Sequence, residues 1–499
     1  MRPVVAWFVP DLALVTATVT LFYCLFVFQG YQKLFRDSDA GWHIRTGEAI
    51  LATGRLPRTD PYSFSRPGQP WFAWEWGADV VVGAIHRGAG LPGVALFYGG
   101  VIAAGVWLWF RLHWVLGGDF LVACAMAPLL LSTCDIHWLA RPHVIGWLFP
   151  LGAVLYAETV LQGEPSKNPG TQAEPPAPRW GRRFRLPLYL RNTLAIGAYM
   201  VLWANLHASF FMGAVIAGIY AVGRARSTAG IWFAWATLVA AIAPLANPYG
   251  WRLYSHVFRY LTDSDLLSRI GEFQSFDFHT PGAGQIIATV ILGISGGALA
   301  LTRKRYEHFL LAMLVSVLAV RSARALPMTA LLLLPVANSA IRATFDLPWQ
   351  AYAERLRALD SRWMGLALAP FALLAALGLL RILPVGFPTE DFPVAAYPHI
   401  PAEARLFAPD KFGGYLIYRS NGTRKVFFDG RSDFYGTEFL KRYARMVQVR
   451  PGWQEYWESF HFSHALMPPD FPLVPALEQI GWRPVYQDGT AILLARGGT

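Results

Sequence analysis

Long apolar stretches recur from the first residues of this chain to about residue 383, and they leave few folds open to it. The first stretch, Asp11 to Phe28, is nearly uncharged and long enough to cross a bilayer as a helix. No small-residue cleavage site follows it, so we expect a permanent first helix rather than a signal peptide. Further apolar runs lie at roughly 92–112, 119–137, 143–161, 190–205, 208–223, 230–246, 284–301, 307–320, 325–341 and 362–383. Because 54% of the residues are hydrophobic and only 15% are charged, residues 1–383 are predicted to form a polytopic α-helical membrane domain.

Arginine-rich connections predict how the chain crosses the membrane, since cytoplasmic loops carry an excess of Lys and Arg. The Pro-rich linker 162–189, Arg224 with Arg226, and the run Arg303 to Arg305 are assigned to the cytoplasm. The segments that then fall outside are loop 30–77, Arg141 to His143, loop 247–283, Arg321 to Arg324 and the tail 384–499. The chain has 11 spans if Glu75 to Arg87 lies in the interface as an amphipathic helix, and 12 if that segment crosses.

The tail 384–499 changes character and predicts a soluble extracytoplasmic α/β domain. Strand-like runs at 415–418 and 426–428 flank Asn421-Gly422, and a second pair at 483–486 and 491–494 flanks Asp488-Gly489. Both dipeptides are typical of two-residue hairpin turns. The segments 437–448 and 452–460 are expected to be helical.

An acidic cluster, Arg36-Asp37-Ser38-Asp39, follows the first apolar run, with His43 close behind. Placing these charges in lipid would cost several kcal/mol each, so we expect them at a helix mouth facing a polar cavity. The alternative is a solvated loop in which an aspartate caps a short helix around Gly47.

Other polar residues fall on the same predicted outer side: His137, Arg141, His143, Asn205, His207, Asn247, Tyr249, Glu272, His279, Arg321 and Arg324. Taken singly, each has a structural explanation, such as a hydrogen-bonded kink at Asn205 and His207 or a turn at Asn247 to Gly250. Together they predict a shared cavity, because ionisable residues in membrane proteins face cavities more often than lipid.

Several motifs carry a resemblance to a known family. They are Asp37-Ser38-Asp39, Gly41-Trp42-His43, Arg55 to Ser63, Trp203 to His207 and Asn247 to Gly250. The chain resembles the GT-C class of integral-membrane glycosyltransferases, and more narrowly a bacterial group related to protein O-mannosyltransferases and the aminoarabinose transferase of lipid A. In the tail, Gly413-Gly414-Tyr415 and the run Phe428 to Gly436 resemble the extracytoplasmic domain of that group.

The resemblance implies transfer of a sugar from a polyprenyl-phosphate-linked donor to a glycan, lipid or protein acceptor on the outer face, usually with inversion. It implies a bacterial inner-membrane protein with a periplasmic tail. Asp37 is then the expected base and Asp39 its partner, since an acceptor hydroxyl must lose a proton. The residues expected to bind substrate or phosphate are Arg36, His43, Arg141, His143, Asn205, His207, Arg321 and Arg324. Some members of the class use a divalent ion, Mg²⁺ or Mn²⁺, for which the candidate ligands are Asp37, Asp39, Glu272 and His279. Others work without a metal, and the sequence does not decide between the two.

Two other functions remain open: a carrier or flippase, and a non-catalytic scaffold for envelope polysaccharide or lipid. A carrier should show internal repeats, and the sequence has none that we recognise. Nucleic acid is not an expected partner, because the charge of +11 is spread over loops without a nucleic-acid-binding motif. The three cysteines, Cys24, Cys124 and Cys134, lie in apolar segments and predict no disulfide. The sequence gives no prediction of oligomeric state.

Overall fold

A computed structural model describes residues 4–162 and 188–497 of the chain. The predicted linker 162–189 therefore lies almost wholly outside the described residues. The amino-terminal half contains α1 (Leu12–Phe26), α2 (Gly30–Lys33), α3 (Asp39–Thr53), α4 (Trp76–Val115), α5 (Phe120–Asp135), α6 (Pro142–Gly146), α7 (Leu148–Gln162), α8 (Leu188–Leu206), α9 (Phe211–Gly223) and α10 (Thr228–Ile242). The following region contains α11 (Trp251–Thr262), α12 (Ser264–Leu267), α13 (Ala283–Thr302), α14 (Tyr306–Arg321), α15 (Leu326–Met328), a π-helical turn (Thr329–Leu333), α16 (Leu334–Thr344), α17 (Gln350–Asp360) and α18 (Ala369–Leu380).

Six of the described helical segments are long and apolar enough to cross a membrane: Val4–Lys33, Trp76–Val115, Pro142–Gln162, Thr228–Ala246, Ala283–Thr302 and Ala323–Thr344. Shorter apolar helices occupy Phe120–Asp135, Ala208–Gly223 and Leu366–Leu380. Length and composition thus confirm a multi-pass helical membrane protein. The number of 11 or 12 spans stays a prediction.

The helix α4 is 40 residues long, or roughly 60 Å, twice what a bilayer core of about 30 Å needs. Its backbone breaks at Gly90, whose φ of 63° and ψ of −161° are not helical, and Pro92 follows. Before the break, α4 packs so closely on α3 that a Cβ on Gly47 would lie 1.7 Å from the Asp79 carbonyl oxygen. The first part of α4 therefore packs with the segment 30–77, and whether Glu75 to Arg87 spans the membrane stays a prediction.

The tail folds around a small sheet of β1 (Leu406–Phe407), β2 (His464–Met467), β3 (Trp482–Gln487) and β4 (Ile492–Arg496), in the order β1-β2-β4-β3. The strands β1 and β2 are parallel, whereas β4 is antiparallel to both β2 and β3. The two strands predicted around Asp488-Gly489 are confirmed as β3 and β4, but the two-residue turn is wrong. The connection runs over the four residues 488–491, and neither Asp488 nor Gly489 has the positive φ that such a turn needs. Four helices complete the tail: α19 (Asp410–Arg419), α20 (Ser432–Val447), α21 (Trp453–Glu458) and α22 (Leu473–Gln479). The two helices predicted at 437–448 and 452–460 correspond to α20 and α21.

The other predicted hairpin, 415–418 with 426–428, is wrong. Residues 415–418 lie in α19, where Phe412 to Ile417 are all buried, and a short, fully buried apolar run has no periodicity to distinguish helix from strand. Asn421 and Gly422 do adopt the positive φ values, 53° and 76°, that a hairpin turn would need. They terminate a helix here instead: the Gly422 amide donates to the Ile417 carbonyl at 2.8 Å.

The tail docks on the outer loop through glycines, which let two helices approach closely. A Cβ on Gly41 of α3 would lie 2.1 Å from the Gly414 carbonyl oxygen of α19. A Cβ on Gly414 would lie 2.1 Å from the Ser38 carbonyl oxygen. These contacts are between backbones, so a side chain on either glycine would force the helices apart.

A buried ion group fixes the same interface. Arg431 of the tail lies 2.8 Å from the carboxylate of Asp60 in the outer loop and donates to both oxygens of Asp429 at 2.8 and 2.7 Å. Its guanidinium carbon lies 4.7 Å from the centre of the Trp71 ring. The tail and the outer loop therefore share a buried polar centre as well as apolar surface.

We expect Gly414→Ala to loosen this interface. Because the methyl group meets backbone atoms that cannot rotate away, the change should cost about 1–3 kcal/mol of stability. The measurement is the melting temperature of the purified protein in detergent. Gly489→Ala is the control, since an added Cβ there meets no described atom within 4 Å. Equal melting temperatures for both variants and wild type would contradict the close docking.

Candidate active site

A cavity of about 1360 Å³ lies between the tail and the ends of the membrane helices. Every segment predicted to lie outside contributes to its lining: the first outer loop through Asp37, the segment before α6 through Arg141, the loop 247–283 through Glu272, the end of α14 through Arg321, and the tail through Asp433. The described segments predicted to be cytoplasmic meet elsewhere, where Arg224 and Arg305 pair with Glu307. The two sets of loops thus occupy different regions of the structure, and the side of the membrane on which each set lies stays a prediction.

Arg141 is the centre of the charged wall of the cavity. Its Nη1 lies 2.7 Å from Asp37 Oδ2 and 2.8 Å from Glu272 Oε1, and its Nη2 lies 2.9 Å from Asp39 Oδ2. Arg324 contacts the other oxygen of Glu272 at 3.4 Å. Three carboxylates and two guanidinium groups therefore form one connected network.

Local sequence explains how these side chains are presented. Arg141 precedes Pro142, which disfavours a helical conformation at Arg141 and occupies the first helical position of α6. The side chain of Arg141 is thus held at a helix start with extended backbone, φ −134° and ψ 153°. Across the cavity, the Asp39 amide at the start of α3 donates to Asp37 Oδ1 at 2.8 Å. One oxygen of Asp37 therefore accepts from the first amide of α3 and the other contacts Arg141, while the N-cap residue Ser38 makes no side-chain capping hydrogen bond.

A glycine of the tail fixes Asp39. A Cβ on Gly430 would lie 1.9 Å from Asp39 Oδ1, so only glycine leaves room for this carboxylate. Burial raises the pKa of Asp39 from 3.8 to about 7, although Arg141 acts to lower it. Burial would also raise the pKa of Glu272, but Arg141 and Arg324 outweigh it and hold that pKa well below its ordinary value. The site therefore contains two carboxyl groups whose pKa values are shifted in opposite directions.

A second polar group faces the same cavity, and the sequence reasoning named its histidines, His43 and His207, but missed its carboxyl groups, Glu75 and Asp79. Glu75 Oε1 lies 3.4 Å from His207 Nε2, and Glu75 Oε2 lies 4.0 Å from His43 Nε2. His43 Nδ1 in turn lies 2.6 Å from Asp79 Oδ1. The Ser209 amide donates to His207 Nδ1, so in the neutral ring the proton sits on Nε2, facing Glu75. The four-residue spacing of Glu75 and Asp79 places both on one helix face, which is the signal that could have revealed them.

Burial raises the pKa of Glu75 from 4.5 to about 7, against the lowering influence of Arg324 and Arg141. The pKa of His207 is lowered to about 3 by burial and by the same two arginines. A neutral histidine therefore faces a carboxyl group that exchanges its proton near neutral pH.

The structure brings most of the predicted site residues together, and three lie apart. The predicted residues that line the cavity are Arg36, Asp37, Asp39, Arg141, His143, His207, Glu272, Arg321 and Arg324. His43 lies behind Glu75, and Asn205 accepts a hydrogen bond from the indole of Trp76 at 2.9 Å, a structural role. His279 is exposed and does not line the cavity, so it does not join the carboxylates with which it was grouped.

The carboxylates of the cavity do not fit the divalent ion that the class resemblance implies for some members. Mg²⁺ needs oxygens about 2.1 Å from a common centre. Here the Arg141 guanidinium lies between Asp37, Asp39 and Glu272, within 2.9 Å of each. His279 supplies no fourth ligand.

A second acidic group lies at the opposite end of the helices. Atoms of Glu158, Glu307 and His308 lie within 4.8 Å of one another, a spacing that could hold an ion. Arg305 donates to Glu158 at 2.8 Å and to Glu307 at 2.6 Å. Arg224 also donates to Glu307, at 2.6 Å. The two carboxylates are thus already neutralised by arginine.

Solved structures of similar fold identify the architecture. No protein-family model matches the sequence, and a search of curated proteins found no match. The archaeal oligosaccharyltransferase AglB from Archaeoglobus fulgidus, in complex with an inhibitory peptide and a dolichol-phosphate, superposes with a TM-score of 0.53 at 10% identity over 91% of this chain and 69% of that chain. The chain has the GT-C fold. The oligosaccharyltransferase of the same organism matches in its apo form (TM-score 0.54, 13% identity, 91% and 69% covered) and with a tethered acceptor peptide containing the NVT sequon (0.52, 12%, 91% and 68%). The narrower bacterial group stays a prediction.

The raised pKa of Glu75 predicts a pH dependence of stability. The folded chain keeps a proton on Glu75 between its ordinary value of 4.5 and about 7, where the unfolded chain releases it, so stability falls as pH rises through this range. Glu75→Gln cannot ionise and should weaken the fall in melting temperature between about pH 5 and pH 8. The exposed Glu478 provides the control variant Glu478→Gln. Parallel curves for wild type and Glu75→Gln would refute the assignment.

Proposed function

We propose that this chain is a membrane glycosyltransferase that moves a sugar from a polyprenyl-phosphate-linked donor to a glycan, lipid or protein acceptor on the outer face of a bacterial inner membrane. The observation that carries the proposal is the cavity itself, which joins a charged wall to an apolar one. The volume of about 1360 Å³ exceeds the 300–1,000 Å³ usual for a single small ligand, which leaves room for donor and acceptor together.

The apolar wall suits an isoprenoid chain. It is built by membrane helices and contains Trp147, Pro150, Phe211, Met212, Val315, Leu318, Met328 and Leu332. A lipid tail on this wall would enter from the bilayer and leave its phosphate at the outer helix ends. The structural neighbours support this: one was solved with a dolichol-phosphate and another with an acceptor peptide.

Arg321 and Arg324 are the phosphate-binding residues of the proposal. Arg321 ends α14 directly above Val317 and Leu318, and in the described part of the chain it has no ion-pair partner. Among the described residues, Arg324 has one ion pair, to Glu272 at 3.4 Å, and its guanidinium carbon lies 5.4 Å from the centre of the Phe273 ring. Both therefore retain donors for a phosphate, which a planar guanidinium binds in a bidentate manner.

Asp37 is the proposed base. It is the first carboxylate of the acidic cluster, lines the cavity, and is more exposed than Asp39, at 24% against 7% of the side chain. A base must reach the acceptor hydroxyl, which favours the more accessible group. Asp39, enclosed by Gly430 and Arg141, supports the position of Asp37.

Oligosaccharide chemistry is expected outside the cytoplasm because all segments predicted there converge on this cavity. The first outer loop, the loop 247–283 and the tail each supply lining residues. The proposal therefore places the tail 384–499 on the periplasmic side.

Asp37→Asn tests the base. Asn keeps the oxygen that accepts a hydrogen bond from the backbone amide of Asp39, so the start of α3 is preserved. It removes the carboxylate that would accept the proton. Turnover should fall by about 10²–10⁴-fold. The assay measures sugar transfer from lipid-linked donors in membranes, normalised to folded protein. Asp470→Asn is the control, because Asp470 is exposed and makes no hydrogen bond or ion pair within the described ranges. Full activity of Asp37→Asn would show that Asp37 is not the base.

Arg321→Lys and Arg324→Lys test phosphate binding. Lysine keeps the charge and loses the planar fork, so each variant should bind a polyprenyl phosphate more weakly, by roughly tenfold for a loss of about 1.4 kcal/mol. Binding is measured with the purified protein in detergent. Arg483→Lys, in an exposed position of β3, controls for the substitution. Unchanged affinity in both test variants would place the phosphate elsewhere.

A further inference from the structure

The cation among the acidic side chains of the cavity is a residue of the chain itself. Asp37, Asp39 and Glu272 come from two separate segments and would repel one another without a positive charge between them. Arg141 supplies that charge through contacts of 2.7, 2.9 and 2.8 Å. Carboxylate oxygens grouped by folding in this way are the ligands that usually bind a divalent ion.

We propose that Arg141 takes the place of a divalent metal ion in this acidic site, so that the chain transfers its sugar without one. Arginine keeps its charge at every physiological pH and presents several N–H donors in a fixed plane. It can therefore hold three carboxylates at set distances, as a metal does, but as a permanent part of the fold. Arg141 is a positioning residue in this proposal, since it acts through Asp37.

The contacts of Arg141 distinguish this role from phosphate binding. Both of its terminal nitrogens are directed at carboxylates, and only 16% of the side chain is exposed. A phosphate would have to compete with three anions already in place. Arg321 and Arg324 offer freer donors in the same cavity.

The proposal makes a prediction about metal binding that is independent of activity. In Arg141→Ala, three carboxylates surround the space of the lost guanidinium. That space should bind Mn²⁺, whereas wild type should not. Binding is measured with MnCl₂ on the purified full chain, by the paramagnetic signal of free Mn²⁺ and by the melting temperature, which rises when an ion binds only the folded state.

Two controls isolate the acidic site. Arg36→Ala removes another cavity arginine, whose Nη2 donates to the backbone carbonyls of Asp135 and Ile136 at 3.2 and 3.0 Å, so it frees no carboxylates and should bind no Mn²⁺. The double variant Arg141→Ala/Asp37→Asn removes one ligand and should lose the Mn²⁺ binding gained by Arg141→Ala.

A second arm of the test uses the wild-type protein, so its outcome does not depend on whether a variant folds. Sugar transfer in membranes should be unchanged by EDTA and by added Mg²⁺ or Mn²⁺. This arm rests on the proposed function, whereas Mn²⁺ binding does not, so the two can fail separately. Loss of transfer in EDTA with recovery on adding metal would overturn the proposal, as would equal Mn²⁺ binding by wild type and Arg141→Ala. A folded Arg141→Ala that binds no Mn²⁺ would also overturn it.

Discussion

The buried ion group around Arg431 holds the tail against the segment 30–77. Taking charges out of water costs several kcal/mol per ion, and only a complete set of partners offsets that cost. Arg431 has Asp429 beside it in sequence and Asp60 from a distant loop, so the group is complete only when the tail is docked. The docking places Gly430 against Asp39, and this contact closes one wall of the cavity. The ion group on either side of Gly430 thus determines where an acidic residue of the cavity can lie.

The cavity has two electrostatic centres with different properties. Around Arg141 a permanent cation contacts the carboxylates and lowers the pKa of Glu272, although burial raises the pKa of Asp39 to about 7. Around Glu75 the protons are mobile, because burial raises the pKa of Glu75 to about 7 and keeps His207 neutral. A fixed charge suits the placing of reacting groups, whereas a carboxyl group that titrates near neutrality can accept or release a proton.

Much of this arrangement could be predicted from local sequence. Arginine-rich connections sorted the loops into two sets, and the structure brings one set to the cavity and keeps the described members of the other apart. Asp488-Gly489 between two alternating runs was enough to predict the final hairpin. By contrast, a dipeptide of the same kind, Asn421-Gly422, ends a helix. Only the continuous burial of residues 412–417 in α19 distinguishes this helix end from a hairpin turn.

Partnerships across the chain could not be predicted in the same way. Arg141 meets Asp37 and Glu272 at separations of 104 and 131 residues, and no local pattern records such a pairing. Glu75 lies between two tryptophans and was assigned to a membrane interface together with the residues that follow. Its partner His207 lies in the connection between α8 and α9, so the spacing of Glu75 and Asp79 could indicate a polar helix face but not this pairing.

The glycine contacts between α3 and α19 also set an order of events during synthesis. The hydroxyl of Ser38 donates to the backbone carbonyl of Asp410, a residue made 372 positions later. At the usual 5–20 residues per second, a ribosome needs roughly 20–75 s to cover that distance. Throughout this interval the acidic loop has emerged without the backbone that will cover it. The two ends of the site therefore meet only after residue 410 has been made, and a chain interrupted before that point carries Asp37 and Asp39 without the wall that gives them their positions.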